Sequence, residues 1–257
     1  PSSAASDVYK RQGMNLETAF KASIDGILIT ITTIFLTLIA GYFIGKKLGL
    51  NKVSTHLIST GTAICGGSAI AAVSPVIKAD EKDISVSLAI VFLLNAAALF
   101  IFPPLGGFLE MTQHQFGLWA AIAIHDTSSV VGAAGIYGEE SLLVASTVKL
   151  ARALWIIPVV ILTAYFFKSE SKKIQIPWFI FYFIGAIILA TYIPIITEAG
   201  QYLVKGSKAL MSLTLFLIGS GLSIEKIKSV NPAVFILGII LWTLISTGSL
   251  IVILNYY

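Results

Sequence analysis

Residues 84–108 read ISVSLAIVFLLNAAALFIFPPLGGF, a stretch of 25 residues that contains no charged side chain. A helix rises about 1.5 Å per residue, so this stretch is long enough to cross the roughly 30 Å hydrocarbon core of a bilayer. In lipid every backbone polar group must be satisfied internally, and an uninterrupted apolar run of this length is typical of a helix. The stretch therefore predicts a transmembrane helix.

The same pattern recurs along the whole chain. Of its 257 residues 56% are hydrophobic and only 12% are charged, whereas a soluble domain carries about 25% charged residues. The apolar runs are separated by short breaks that contain charged residues, glycine or proline. They predict about eight spans, at residues 24–44, 56–77, 84–108, 117–138, 141–167, 178–197, 201–222 and 233–254.

Composition also bounds the fold class and the partners. We expect an all-α membrane protein with the lipid bilayer as its surroundings and with no soluble appendage. The net charge of +4 comes from lysines between the spans, so it bears on membrane orientation and does not indicate a nucleic-acid partner. The single cysteine, Cys65, excludes an intramolecular disulfide and a multi-thiolate metal cluster. No metal site and no cofactor are expected.

Lysine placement gives the orientation, because cytoplasmic loops are enriched in lysine and arginine. With eight alternating spans, one set of loops holds eight lysines and the other holds three. The larger set is Lys46, Lys47, Lys52, Lys168, Lys172, Lys173, Lys226 and Lys228, and the smaller set is Lys21, Lys78 and Lys82. This asymmetry predicts that the loop at residues 45–55 is cytoplasmic and that the carboxyl terminus lies on the other side.

The amino terminus does not resemble the rest of the chain. Residues 1–12 read PSSAASDVYKRQ, which is neither a signal peptide nor an apolar span, and they resemble translated adapter sequence. We expect them to pack against nothing. Residues 13–257 are then a single transmembrane domain that lacks its first helices, in a number that the sequence does not give. An ordinary disordered terminus is the alternative.

The second span contains a candidate helix break. Residues 61–77 read GTAICGGSAIAAVSPVI, with the polar or small residues Thr62, Cys65, Gly66, Gly67 and Ser68 near its middle. Paired glycines weaken a helix, so we predict a break between residues 62 and 68. The ends of the two half-helices would direct unpaired N–H groups into the bundle, where they can hold an anion. Alternatively, the small residues only allow close helix packing.

The fourth span carries ionisable groups. Residues 117–138 read GLWAAIAIHDTSSVVGAAGIYG and place His125 and Asp126 near the centre, followed by Ser128 and Ser129. Polar groups at this depth are costly and are usually functional. An imidazole beside a carboxylate can form a proton relay. A satisfied polar cluster that fixes the helix register is the alternative.

The fifth span adds two cations. Lys149 and Arg152 lie three residues apart and therefore on one helix face. Arg152 is too deep to reach water along its own side chain, so it must face the bundle interior. We predict that Arg152 or Lys149 approaches Asp126, or that both border a polar cavity shared with the break at residues 66–68. A purely structural ion pair between Arg152 and Asp126 is the alternative.

These motifs resemble a known family. GTAICGGSAIAAVSPVI at residue 61, the His125 segment, VKLARALWIIPVV at residue 148 and PWFIFYFIGAII at residue 177 are similar to the YeiH-type sulfate exporter family. The resemblance covers essentially all of the chain after Gly13. Where that family usually has a glutamate next to the histidine, this chain has Asp126, which retracts the carboxylate by one methylene.

The resemblance implies a multi-pass protein of the inner membrane that exports small oxyanions such as sulfate. It also implies a fold related to bile-acid transporters and sodium/proton antiporters, with broken helices that cross near the midplane. Our first hypothesis is a secondary transporter, not an enzyme, in which Lys149, Arg152 and the glycine-rich break neutralise the anion. His125 and Asp126 would then be the coupling site for a proton or sodium ion, and a homodimer is left open.

Two alternative functions remain. In a cation/proton antiporter of the same architecture, Asp126 would bind the cation and Arg152 would be structural. In an intramembrane thiol enzyme, Cys65 would be the nucleophile and would lie within hydrogen-bond reach of His125.

Overall fold

The computed structural model describes residues 16–167 and 231–257, with side chains from residue 29 onward, and three single positions between these ranges. The spans predicted at residues 178–197 and 201–222 fall outside the described ranges. So does the tail at residues 1–12, and its adapter origin stays a prediction.

The described ranges contain helices as their only regular elements, as predicted. In chain order they are α1 (Leu16–Lys47), α2 (Lys52–Ala63), α3 (Gly67–Val73), α4 (Glu81–Phe108), α5 (Gln113–Ala123), α6 (Thr127–Tyr137), α7 (Glu139–Ala153), α8 (Ile156–Phe166) and α9 (Pro232–Tyr256).

Short polar side chains start most of these helices. Asn51 accepts a hydrogen bond from the Ser54 amide at the start of α2. Asp80 accepts one from the Asp83 amide at the start of α4. Thr112 and Gln115 form a reciprocal capping box at the start of α5. Such side chains satisfy the N–H groups of the first turn, which have no partner inside the helix.

Four helical stretches are long and apolar enough to cross a membrane: Ile29–Lys47, Glu81–Phe108, Glu139–Phe166 and Pro232–Tyr256. They correspond to four of the predicted spans. The third consists of α7 and α8, which are joined by a tightened turn in which the Trp155 amide donates to the Arg152 carbonyl. Large apolar side chains such as Phe43, Phe100 and Phe108 point outward and are 63%, 77% and 84% exposed, as expected of a surface in contact with lipid.

The two remaining spans within the described ranges are each divided into two helices. The first consists of α2 and α3, separated by residues 64–66, so the break predicted between residues 62 and 68 is confirmed. The second consists of α5 and α6, separated by residues 124–126, and this break was not predicted. The total of eight spans stays a prediction.

The unbroken helices pack around the two broken pairs. The helix α4 contacts α2, α3 and α6, and thus lies against both pairs. On another side α7 contacts α5, α6 and α1, while α9 packs against α1, α2 and α5. Apolar side chains of α5, among them Phe116 and Trp119, are buried at the centre of the largest hydrophobic cluster. Both breaks are therefore enclosed by packed helices.

Candidate functional site

The first break depends on a backbone conformation that favours glycine. Ile64 leaves the helical region with φ −120° and ψ −86°, and Gly66 has φ +66° and ψ −118°. A side chain at Gly66 would be strained at this φ whatever space surrounds it. The Gly66 amide still donates to the Gly61 carbonyl at 2.8 Å. This bond closes the end of α2, and the chain then re-enters a helix at Gly67.

The second break is closed by an aspartate. Asp126 adopts an extended conformation with φ −92° and ψ 141°, and its side chain caps α6. Its Oδ2 atom accepts hydrogen bonds from the Ser129 amide at 3.0 Å and from the Ser129 hydroxyl at 3.2 Å. A carboxylate at this position also interacts favourably with the positive end of the helix dipole. Asp126 is half-buried, whereas Ser129 is buried.

The two breaks contact each other. A methyl group added at Gly66 would lie 3.6 Å from the carbonyl carbon of His125 and 3.1 Å from the Val91 side chain of α4. The absence of a side chain at Gly66 thus lets the two breaks approach closely. This contact places the residues of both predicted motifs in one region of the molecule.

Arg152 is held at the end of α2. Its side chain is fully buried. Nε and Nη2 donate to the Ala63 carbonyl at 2.9 and 2.5 Å, and Nη1 donates to the Thr33 hydroxyl at 3.3 Å. These contacts use three of the five N–H bonds of a guanidinium. The cation neutralises the negative end of the α2 dipole. It faces the bundle interior, as predicted from its position within the fifth span.

Lys149 joins the two breaks. Its ammonium group is fully buried and donates to the carbonyls of Ile64 at 3.3 Å, Ala121 at 3.2 Å and Ile124 at 2.6 Å. The first carbonyl belongs to the first break, and the other two belong to the end of α5 and the second break. All three N–H bonds of the ammonium are therefore used by carbonyls. Lys149 contributes charge and position, with no N–H bond left for a further acceptor.

The charges of this region do not balance. Among residues 29–167 and 231–257, whose side chains the structure describes, Lys149 and Arg152 are buried and no aspartate or glutamate is. Both cations donate to carbonyl and hydroxyl oxygens, and among these residues neither donates to the carboxylate of Asp126. The predicted approach to Asp126 is therefore not a direct hydrogen bond. What the structure brings together is two cations and the two breaks.

The other predicted site residues surround the breaks in different environments. Thr62 is buried and its hydroxyl has no partner among the described residues. Gly67 and Ser128 are half-buried and Ser68 is exposed. Cys65 is buried, and its sulfur lies 2.7 Å from the Ser68 hydroxyl.

His125 is fully buried, and neither of its ring nitrogens has a partner among the described residues. The hydrogen bond to Cys65 that the thiol-enzyme alternative needs is not formed.

Two residues of this region were missed by the sequence reasoning. Asn95 of α4 accepts a hydrogen bond from the His125 amide at 2.8 Å, and Thr33 of α1 receives Arg152. Asn95 is the only amide side chain within an otherwise apolar span, which is a signal that could have identified it. Thr33 is one of several threonines in its span, and its spacing does not distinguish it.

Comparison with known proteins places the chain in a family. The family model described as Conserved hypothetical protein 698 matches residues 12–238. A UPF0324 membrane protein of Photobacterium profundum is 52% identical over 238 residues, which are 93% of this chain and 73% of that relative. The chain belongs to the UPF0324 membrane protein family.

Other members of the family have a similar sequence identity to this chain. The UPF0324 membrane protein of Bacteroides thetaiotaomicron is 50% identical, over 93% of this chain and 73% of the relative. That of Shewanella oneidensis is 46% identical, over 95% of this chain and 77% of the relative. No solved structure matches the chain. The names of these UPF0324 relatives give a membrane location and no substrate.

Proposed function

We propose that this UPF0324 protein is a secondary transporter that exports a small anion, sulfate or a related oxyanion, across the inner membrane. The observation that carries the proposal is the charge of the buried region. Two fully buried cations, Lys149 and Arg152, lie at two helix breaks, and no buried carboxylate accompanies them among the side chains described from residue 29 onward. The resemblance to the YeiH-type exporters, which rests on the same segments, supports the choice of an oxyanion.

Electrostatics favours an anion as the ligand. Removing a cation from water costs several kcal/mol even after relaxation, and hydrogen bonds from carbonyls recover only part of this cost. A bound anion would recover more of it. Arg152 is the direct ligand in this proposal, because two of its N–H bonds are not used by Ala63 or Thr33. Lys149 attracts the anion by its charge alone.

Coupling is assigned to His125 and Asp126. The two residues are adjacent at the second break, so a proton that arrives there lies close to the bound anion. The His125 ring has an unpaired nitrogen to accept a proton, and Asp126 is half-buried, so its carboxylate is less enclosed than the His125 ring. Protonation of either group would add positive charge and strengthen anion binding.

The alternative function is a cation/proton antiporter. Asp126 favours it, because this carboxylate lies at a helix break and its Oδ2 atom alone accepts the two bonds from Ser129. A cation could then bind at the other oxygen. Lys149 and Arg152 would repel such a cation, which is why we place this function second.

Thermal unfolding of the purified protein in lipid nanodiscs tests the proposal. Sulfate, sulfite, methanesulfonate, acetate and sodium are titrated separately at constant ionic strength. We expect at least one oxyanion to raise the unfolding midpoint, since an anion at 100 times its Kd adds about 2.7 kcal/mol. Sodium should have no effect. Stabilisation by sodium and by none of the anions would favour the antiporter and reject the anion transporter.

Substitutions then locate the site. Arg152→Ala should abolish the anion-dependent shift, Arg152→Lys should retain part of it, and Lys47→Ala at an exposed position should leave it unchanged. Asp126→Asn should bind the anion and alter the pH dependence of binding. A folded Arg152→Ala protein that binds anions like the wild type would show that the site lies elsewhere. If that variant does not fold, Arg152→Lys with an unchanged anion affinity leads to the same conclusion.

A further inference from the structure

Asn95 presents a fixed donor at the second break. Its side chain is 2% exposed, and its Oδ1 atom accepts the hydrogen bond from the His125 amide at 2.8 Å. Only the oxygen of a side-chain amide can accept from a backbone N–H, so this bond fixes which way the amide points. The Nδ2 group is therefore a donor whose position is set by the backbone of the break.

This donor has no acceptor. Asn95 Nδ2 is buried and without a hydrogen-bond partner among the described residues. Leaving a buried donor unpaired costs stability, and native proteins rarely tolerate it without a reason. The His125 ring at the second break and the Thr62 hydroxyl in the last turn of α2 are also buried and unpaired. An acceptor that binds at this place would remove the penalty.

One peptide group connects Asn95 to the cations. The carbonyl of Ile124 accepts from Lys149 at 2.6 Å, and the N–H of the same peptide, which belongs to His125, donates to Asn95. The peptide is thus held from two helices, α7 and α4. The first break approaches the same residue, since a methyl group at Gly66 would lie 3.6 Å from the His125 carbonyl carbon. Asn95 therefore lies where the two breaks and the buried charge meet.

We propose that the Nδ2 group of Asn95 donates a hydrogen bond to an oxygen atom of the transported anion. The inference rests on the proposed function and adds a ligand to that site. An N–H donor does not bind a cation, and the Oδ1 atom of the same amide already accepts from the His125 amide. Asn95 would thus select ligands with acceptor oxygens, such as sulfate and sulfonates, and would contribute no net charge of its own.

The substitution Asn95→Asp separates this role from a structural one. Aspartate has nearly the same shape and can still accept the His125 amide, but it replaces the Nδ2 donor by a carboxylate oxygen. If Asn95 only positions the break, the variant should weaken anion binding through its added charge alone, no more than a carboxylate placed elsewhere on α4 does. If Asn95 donates to the anion, the variant places an acceptor, and at neutral pH a negative charge, against the ligand's own oxygen.

The test uses the purified protein in lipid nanodiscs, with sulfate and methanesulfonate as probes and the unfolding midpoint as readout. We expect Asn95→Asp to raise the apparent Kd of both probes at least 10-fold. The control is Ser87→Asp, which places the same carboxylate at another buried, unpaired polar position of α4, two turns away, and should raise the apparent Kd much less. Unchanged affinity in Asn95→Asp, or an equal loss of affinity in Ser87→Asp, overturns the inference.

Three outcomes remain to be distinguished. If Asn95→Asp does not fold, Asn95→Ala replaces it, and an anion response equal to that of the wild type would again reject the role of Asn95. If the wild type itself responds to no oxyanion, the proposed function fails, and this inference fails with it. A wild type that responds and an Asn95→Asp variant that responds equally would reject the inference alone.

Discussion

The compensation of buried charge by backbone carbonyls is the main feature at the scale of single residues. Arg152 and Lys149 lie at the carbonyl ends of α2 and α5, where helices leave unpaired acceptors. The sequence predicts that both cations face inward, because no other placement is tolerable in lipid. It does not predict their partners, since every residue has a carbonyl and only the tertiary fold decides which ones are unpaired and nearby.

Gly66 provides a residue-scale prediction. We expect Gly66→Ala to lower stability by about 1–3 kcal/mol, because its φ of +66° is strained for any side chain. The added methyl would also crowd Val91 at 3.1 Å. The thermal unfolding midpoint in detergent or nanodiscs measures this loss.

Gly135 in α6 is the matched control for this change. A methyl group there meets nothing within 4 Å, and alanine favours a helix by roughly 0.5–1 kcal/mol over glycine. Gly135→Ala should therefore be neutral or slightly stabilising. Equal midpoints for the two variants would contradict the role of Gly66 in the first break.

At the scale of elements, apolar length was a good guide to the spans and a poor guide to the helix ends. The span predicted from residue 117 begins at Gln113, because Thr112 and Gln115 form a capping box in the polar segment before it. The first break was predicted from its paired glycines. The second was missed because its apolar flanks are continuous, although Asp126 is of a residue type that helices prefer at their start.

The capping role of Asp126 gives a prediction at this scale. Asp126→Asn keeps a side-chain oxygen for the Ser129 amide, and asparagine caps helices about as well as aspartate. We expect its stability to be within about 0.5 kcal/mol of the wild type, which is typical of substitutions that keep the local interactions. Asp126→Ala removes the cap and should cost about 1 kcal/mol.

Unfolding midpoints of both variants, measured without added anion, check this expectation. The comparison also supports the coupling experiment, since Asp126→Asn would then remove the charge and leave the second break intact. A strongly destabilised Asp126→Asn would mean that the carboxylate is required by the fold, and a changed pH dependence in that variant could not be assigned to coupling.

For the whole molecule, the class could be predicted and the topology only in part. Composition and run length fix a membrane protein made of helices, since a bilayer leaves few alternatives. Four of the predicted spans correspond to helical stretches of sufficient length, and two correspond to broken pairs. How the pairs meet could not be predicted, because the contact of Gly66 with His125 joins residues about 60 positions apart in the sequence.

The membrane topology is the prediction at this scale. If the chain crosses the membrane eight times, seven spans separate the loop at residues 45–55 from the carboxyl terminus, and the two must lie on opposite sides. The lysine distribution predicts that the loop is cytoplasmic. In a Cys65→Ser background, we therefore expect Lys47→Cys to be protected from a membrane-impermeant maleimide in intact cells and Asn255→Cys to be labelled.

Both labelling positions are exposed, so their reactivity reports the side of the membrane and not burial. Permeabilised cells provide the control, since both cysteines should then react. Labelling of both positions in intact cells, or of neither, would place them on the same side and would require an odd change in the number of spans. Labelling of Lys47→Cys alone would still place the two positions on opposite sides, which agrees with eight spans. It would show that the orientation is the reverse of the one predicted from the lysines.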